Sequence, residues 1–390
     1  MHDTDILIIG GGIGGLTLAL ALQQAGIRVA IYEQVAELTE VGAGLTVASN
    51  GMAVLQHLGL GPALQKFAMI PKRGAIKHYS SGEDLVDIPR GDTQIKKYGA
   101  PYCQMHRADL QQALLNSITA NDPDCIHLEH SFVDLSQTES AVTATFSNGN
   151  IVRAAILVGC DGIRSTVRAR LFGAGEPSFT GYVAWRGLVP MESLPEGLVD
   201  PDSAIFTGPG HFFTRYRVSA GRLLNYVATA RTDEWAEEGW TVPSTVDTVM
   251  KEFDAFHPDI KTIIAATPAD ECFKWGIFDR DPLARWTVGR ATLLGDAAHP
   301  MTPFLGQGAV MALEDAMIFA RALQAAGSMN DGIRRYEEAR RERTAFVFAE
   351  SRLSGEQLTS FNPDAYDSDV HRNEETLDLA AYNAVTVPIG

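Results

Sequence analysis

The feature that most limits how this chain can fold is a strand that runs straight into glycine near the N-terminus. Asp5-Ile6-Leu7-Ile8-Ile9 is a short apolar run of the kind buried in a parallel sheet. Ile13, Leu16 and Leu20 then recur at helical spacing, Gly26 supplies a stop, and Ile27, Val29 and Ile31 alternate as a second strand. Gly10-x-Gly12-x-x-Gly15 lies between strand and helix, and Glu33 closes the second strand 18 residues after Gly15. Gly10 permits the tight turn, Gly12 lets backbone approach a pyrophosphate, and Gly15 lets the helix pack on the strand. The helix N-terminus then offers unpaired N–H groups to phosphate, and Glu33 offers a carboxylate to a ribose diol. This βαβ unit reads as a dinucleotide site, for which NAD and FAD are equal candidates. No second fingerprint follows between residues 34 and 390, so a separate nicotinamide Rossmann domain is not expected.

A length of 390 residues suggests two lobes, or one large domain with an insertion. Hydrophobic residues at 45% and charged residues at 21% are those of a folded globular chain and exclude coiled-coil, collagen-like and disordered classes. The net charge of −16 repels phosphate backbones and anionic lipid, so neither nucleic acid nor a membrane is expected as partner. Cysteines at 103, 125, 160 and 272 form no Cys-x-x-Cys pair, and the ten histidines show no metal-binding spacing, so no metal is expected. Glycines interrupt the apolar stretch Ile6 to Leu22, and Asp3 and Asp5 precede it, unlike a signal peptide. A cytoplasmic location is expected.

Two later segments carry chemistry. Ile156 to Gly159 is an apolar strand that enters the polar turn Cys160-Asp161-Gly162-Ile163-Arg164-Ser165, with Arg168 and Arg170 on a following helix. Ala291-Thr292-Leu293-Leu294 enters Gly295-Asp296-Ala297-Ala298-His299-Pro300, and Pro303-Phe304-Leu305-Gly306-Gln307-Gly308 leads into an apolar helix beginning at Ala309. A strand ending in Gly-Asp puts a carboxylate where open α/β sheets bind ligands. Glycines at the next helix start leave N–H groups facing partly negative ligand atoms.

With these three motifs in this order, the chain resembles the single-component FAD-dependent aromatic hydroxylases, most of all salicylate hydroxylases, 3-hydroxybenzoate 6-hydroxylases and 6-hydroxynicotinate monooxygenases. Gly42-Ala43-Gly44-Leu45, His106-Arg107-Ala108-Asp109-Leu110, Trp185-Arg186-Gly187-Leu188 and Gly306-Gln307-Gly308 extend the likeness from residue 5 to about 345. The resemblance implies an α/β fold like that of para-hydroxybenzoate hydroxylase. Its Rossmann-like FAD-binding domain would comprise residues 1–71, 101–174 and 276–345. A sheet-based substrate domain would comprise 72–100 and 175–275, and 346–390 would form a C-terminal helix or tail.

The resemblance also implies noncovalent FAD, NADH or NADPH as cosubstrate, O2, a small aromatic substrate, and a monomer or homodimer. By the same likeness Glu33 would hold the adenosine ribose, Arg107 the FAD backbone and Asp296 the ribityl chain. Pro303 would line the isoalloxazine ring, and the amides of Gly306, Gly308 and Ala309 would face its N1–C2=O edge. Asp161, Gly162 and Arg164 match a segment tied to both FAD and nicotinamide binding. The implied reaction is hydroxylation of an electron-rich ring through a flavin C4a-hydroperoxide, which the protein must shield from water.

Thr46 stands where some hydroxypyridine members carry a histidine proposed as a base, a role threonine does not fill at neutral pH. A hydroxybenzoate is therefore the expected substrate, with a hydroxypyridine as the alternative. Phe212 to Arg217 alternate as a strand, so only one parity faces the pocket. Tyr216 matches a family position near the substrate, His211 is the nearest imidazole, and either is a candidate catalytic group. Arg186 would pair with a substrate carboxylate or form a structural salt bridge. Arg334, Arg335, Arg340, Arg341 and Arg343, interleaved with glutamates, read as a solvated helix face. Two rival readings are an NAD-dependent dehydrogenase, which leaves the Gly295-Asp296 segment unexplained, and a non-catalytic flavin-binding sensor.

Overall fold

The computed structural model describes residues 3–38, 43–173, 175–233 and 242–389; Gly42 lies outside them. One sheet has the strand Thr4–Ile9 at its centre, parallel to Val29–Tyr32 on one side and to Ile151–Gly159 on the other. Ile126–His127 extends it beyond Val29–Tyr32, and Ala291–Leu293 runs parallel to the far end of Ile151–Gly159. The hairpin Phe132–Gln137 and Val142–Phe146 adds antiparallel strands to the near end of Ile151–Gly159. Ile6, Leu7 and Ile8 are wholly buried, as strands covered on both faces require.

The helix Ile13–Gln24 packs between Arg107–Asn121 and Gly308–Ala325, which explains why Leu16, Leu18, Ala19, Leu20 and Leu22 are all buried. A β-carbon at Gly15 would stand 2.1 Å from the Gly10 carbonyl oxygen, and one at Gly10 would stand 2.4 Å from that of Cys160. The turn is therefore clamped between helix and neighbouring strand with no room for a side chain. Because parallel strands end at one edge, Gly10, Asp161 and Asp296 all emerge from the carboxyl ends of adjacent strands.

The second sheet has eight strands, in the order Val242–Pro243, Phe273–Asp279, Ser178–Pro190, Leu223–Arg231, His211–Val218, Ser203–Gly208, Arg73–His78 and Asp84–Pro89. The expected boundary at 275 thus falls inside a strand that continues to Asp279. Strand alternation sends Phe213, Tyr226 and Phe206 to a core under the helices Val246–Glu252 and Pro258–Ala265. It sends Tyr182, Ala184 and Phe212 the other way, onto Phe304. A two-stranded ribbon, Gly44–Val47 with Cys103–His106, adds a further element, its Gln104 side chain bonded to Ser203 of the large sheet.

The structure corrects two expectations about the C-terminal part. The arginines of the helix Met329–Leu358 do not share a solvated face: Arg340 is fully buried, 2.7 Å from both Glu314 and Asp315. Arg343 is largely buried as well and binds Glu314 at 2.7 Å, whereas Arg334 and Arg335 pair with Asp331 at the surface. Charge interleaving marked the exposed pairs, but the acidic partners of Arg340 lie on another helix, out of reach of any local pattern. Of the C-terminal helix or tail expected at 346–390, residues 346–358 complete the helix Met329–Leu358, and residues 359–389 are packed onto the protein. They form an irregular strap in which Leu379, Ala380 and Ala384 are buried, Arg321 donates to the Ala384 and Val387 carbonyls, and Glu374 pairs with buried Arg90.

Arg340→Met tests this reading of the buried charges. It leaves Glu314 and Asp315 with an uncompensated loss that typically costs about 3 to 5 kcal/mol. A marked fall in thermal midpoint is expected, followed by circular dichroism; an unchanged midpoint contradicts a structural role for Arg340.

Candidate active site

The Gly10–Gly15 turn presents an open helix end. Gly12 is the N-cap of Ile13–Gln24, no side chain caps that helix, and a β-carbon at Gly12 would meet nothing within 4 Å. The free N–H groups of the first turn face open space beside the turn, a fit for a pyrophosphate. Glu33 reaches back to the same turn, accepting from the Gly11 N–H at 2.7 Å and the Val35 N–H at 3.1 Å. Its carboxylate is thereby fixed at the rim where a ribose diol would lie. Gln111, from the helix that Arg107 begins, also contacts the turn through the Gly11 carbonyl at 3.4 Å.

Asp296 lies in a single turn, Gly295–Ala297, directly after the strand Ala291–Leu293. Its carboxylate has accessible surface, yet burial raises its pKa, with His299 and Arg107 pulling the other way. Accessible surface combined with a desolvated environment is what lining an internal cleft produces. No side-chain hydrogen bond fixes Asp296 among the described residues, so its oxygens are available to a polyol. The turn itself is held from behind by Asp315, which accepts from the Gly295 N–H at 3.1 Å and meets His299 Nε2 at 2.6 Å. Burial opposes the charge on Asp315, but His299 and Arg340 outweigh it and hold the carboxyl below its usual range. His299, whose ring also lies against Trp286, is thus a bracing residue.

The helix Gly308–Ala325 opens toward the same region. Gln307 is its N-cap without a side-chain cap, and no acidic residue sits in its first turn. Gly306 takes φ +63°, and a β-carbon there would stand 2.5 Å from Thr46 Oγ1, so Thr46 lies against this loop. Two residues back on the same strand, a β-carbon at Gly44 would stand 2.6 Å from the Tyr216 ring, and the Gly44 N–H donates to Asn225 Oδ1 at 2.7 Å. Thr46, Tyr216, Asn225, Gln104 and the Gly306–Ala309 turn therefore converge. Two uncapped helix ends and an unengaged carboxylate form an elongated set of groups whose chemistry fits a dinucleotide carrying a polyol and an electron-accepting ring. Pro303, exposed on the turn Pro303–Leu305, lies beside them.

Three sequence candidates are placed differently. His211 stands five positions from Tyr216 on one strand and so points to the opposite face of the sheet. There it packs on Phe253 and Phe256, with Nε2 2.7 Å from Glu252 and Nδ1 2.7 Å from the Pro209 carbonyl. Burial disfavours its charge, but Glu252 and that carbonyl prevail and raise its pKa. It is a paired imidazole away from the site. Asp161 is occupied in capping: it accepts from Ser165 Oγ and from the Val167 N–H at the start of Thr166–Phe172. That helix in turn supplies Arg168, whose guanidinium binds the Ala297 and Ala298 carbonyls behind Asp296. Arg186 shares the sheet face of Tyr216, but it stands two strands across and one pleat along, roughly 10 Å away by strand spacing, over Phe273 and Trp275.

A cleft of about 470 Å³ opens on the far side of Phe304, lined by Tyr182, Arg231, Asp279 and Arg352 among others. Its cations are already engaged, Arg352 by Asp279 at 2.7 Å and Arg231 by Thr359 at 2.8 Å. Sequence reading missed Gln104, Asn225 and Asp315 and placed Arg340 on a solvated face. Polar residues inside otherwise apolar strands were a usable signal for the first two, while the others depend on helix pairing.

The comparisons with known proteins agree with this geometry. The FAD binding domain family model matches residues 3–351. The 3-amino-4-hydroxybenzoate 2-monooxygenase PtmB3 of Streptomyces platensis is 35% identical over 90% of this chain and 88% of its own. The 6-hydroxynicotinate 3-monooxygenase of Pseudomonas fluorescens is 33% identical over 88% of this chain and 89% of its own. Among solved structures, HpxO of Klebsiella pneumoniae, complexed with FAD and uric acid, superposes with a TM-score of 0.85 at 27% identity, covering 98% of this chain and 96% of that one. With its glycine turn, its Gly295-Asp296 loop and its uncapped second helix, the chain belongs to the FAD binding domain family and is one of its FAD-dependent aromatic monooxygenases.

Proposed function

We propose that the protein hydroxylates a small aromatic acid, salicylate-like or another hydroxybenzoate, with NADH or NADPH as reductant and O2 as oxygen source. The observation that carries a hydroxylated ring as substrate is the neutral wall of two hydroxyls and two amides, Thr46, Tyr216, Gln104 and Asn225, beside the Gly306–Ala309 turn. FAD, when bound and reduced, supplies an electrophilic oxygen drawn from O2, chemistry that no side chain provides.

The chain's own residues bind, orient and shield. Gly12 and the first turn of its helix receive the pyrophosphate, Glu33 the adenosine ribose and Asp296 the ribityl hydroxyls, with Arg107 close enough to temper the Asp296 charge. The amides of Gly308 and Ala309 favour negative charge on the ring edge that faces them. Phe304, packed on Tyr182 and Phe212, closes the contact between sheet and turn and limits the entry of water. Burial holds the Tyr216 phenol far above its ordinary range, so at neutral pH it stays protonated and acts as a hydrogen-bond donor to a ring oxygen. Thr46 in place of a histidine favours a phenolic acid over a hydroxypyridine. The likeness to a 6-hydroxynicotinate monooxygenase keeps the hydroxypyridine as the second reading. Four free cysteines and the demand for NAD(P)H suit a cytoplasmic setting.

Two measurements follow. Asp296→Ala removes a charged acceptor whose hydrogen bonds typically contribute about 1.5 to 3 kcal/mol, so FAD affinity is expected to fall roughly 10- to 100-fold. Flavin absorbance per protein reads this directly, and full occupancy counts against the ribityl assignment. In a panel of hydroxybenzoates, hydroxypyridines and benzoate, a monocyclic hydroxybenzoate is expected to stimulate NAD(P)H oxidation and gain one oxygen, while benzoate yields mainly peroxide. Turnover of a hydroxypyridine with no activity on any hydroxybenzoate overturns the substrate choice and leaves the monooxygenase class standing.

A further inference from the structure

Tyr102 precedes the strand Cys103–His106 and carries no motif of its own, yet it stands at the centre of the polar wall. It lies two residues before Gln104, which pairs with Thr46 across the ribbon; burial raises its pKa, Thr46 and Gln104 draw it down, and Tyr102 in turn opposes ionisation of Tyr216. Gln104 spends one amide proton on Ser203 Oγ at 2.9 Å. Asn225, held through Oδ1 by the Gly44 N–H, has its Nδ2 buried without a hydrogen-bond partner among the described residues, and Gln104 Oε1 is in the same position. Buried amide groups left unmatched by protein cost free energy unless a ligand meets them. Every group in this wall is neutral, so it selects a ring by its oxygen and nitrogen substituents.

Behind Tyr102 the arrangement changes from neutral to charged. The Arg90 guanidinium lies over the Tyr102 ring at 3.9 Å, in the range of a cation–π contact. Arg90 itself is buried and pairs with Glu374, also buried, from the C-terminal strap. Glu375 next to it binds Gln94 and Lys97, whose helix Asp92–Tyr98 follows Arg90. Removing Glu374 would leave the buried cation under the phenol with only the more distant Glu375, at 3.7 Å, as its carboxylate partner.

We propose that Tyr102 contacts the substrate and sets specificity by donating a hydrogen bond to a ring oxygen, and that Arg90 and Glu374 are positioning residues through which the strap at 371–375 fixes the phenol. This inference rests on the proposed reading of the site as one for a hydroxylated ring. It assigns the strap a part in substrate recognition through Arg90.

The test uses FAD-loaded protein and two ligands, a hydroxybenzoate that the wild type accepts and benzoate, each titrated while the flavin spectrum is followed. Tyr102→Phe is expected to keep its FAD, to weaken hydroxybenzoate binding roughly tenfold, and to bind benzoate as the wild type does. Glu374→Gln is expected to move in the same direction by a smaller factor, raising KM more than it lowers kcat, and Glu374→Asp to restore most of the loss. Equal hydroxybenzoate affinity in Tyr102→Phe and wild type overturns the contact. Equal weakening for both ligands also overturns it, because that is the behaviour of a merely distorted pocket. A Glu374→Gln variant that binds both ligands normally overturns the role of the strap. A wild type that binds no ring at all overturns the site reading together with this inference.

Discussion

Three elements of the flavin lobe meet at one buried carboxylate. Asp315 takes the Gly295 N–H, His299 and Arg340 at once, and so joins the Gly-Asp turn, the helix Gly308–Ala325 and the long helix Met329–Leu358. A bare carboxylate at zero exposure is untenable; the Arg340 guanidinium, the His299 ring and a backbone donor make it stable and also make its position unique. Everything that faces the cofactor cleft from this side depends on that arrangement. Asp296 follows Gly295 directly, and the uncapped start of the next helix lies only a few residues further on. Glu314 repeats the design one residue earlier, binding Arg340, Arg343 and Asn50.

The same economy governs the two ends of the cleft. Both helices that open onto it lack side-chain caps, with Gly12 and Gln307 at their N-cap positions. Capping residues there would satisfy the free N–H groups internally and stabilise the helices, typically by about 1 kcal/mol. Leaving them open transfers that interaction to a bound anion or partly negative ring edge. Four other helices are capped by a side chain, with Ser165, Thr245, His257 and Ser328 each accepting from a first-turn N–H of the helix they precede, while Ser49–His57, Gly61–Leu64, Asp92–Tyr98 and Arg107–Asn121 are not. What sets the Gly12 and Gln307 ends apart is the glycine loop before each and their place at the cleft, not the missing cap alone.

Local pattern carried much of the fold, and particular residues show where it stopped. The βαβ unit was legible because Gly10 and Gly15 are demanded by approaches too close for any side chain, and such demands leave glycine in the sequence. Asp296 was legible for the same reason, at the end of an apolar strand. His211 shows the limit of proximity in sequence: the alternation from Phe212 to Arg217 already placed it on the opposite parity from Tyr216, and the sheet makes that difference one of face. Arg340 shows another limit. Its neighbours in sequence are charged and partly exposed, and only the packing of two helices decides that it lies inside. Asp161 was found as a carboxylate at a strand end, but the helix it caps lies just downstream and uses the oxygens locally. Tyr102 and Glu374 were silent because they are 272 positions apart and meet only through Arg90.

The central claim is that the cleft between the glycine turn, Asp296 and the sheet wall carries out insertion of one oxygen from O2 into an aromatic ring. The most direct measurement is turnover of an accepted hydroxybenzoate under isotopically heavy O2 in ordinary water, with mass spectrometry of the product. One heavy oxygen atom on the ring is expected, with NAD(P)H consumed in equal amount. A product that carries oxygen from water, or NAD(P)H oxidation that yields only peroxide with every ring tested, would contradict it.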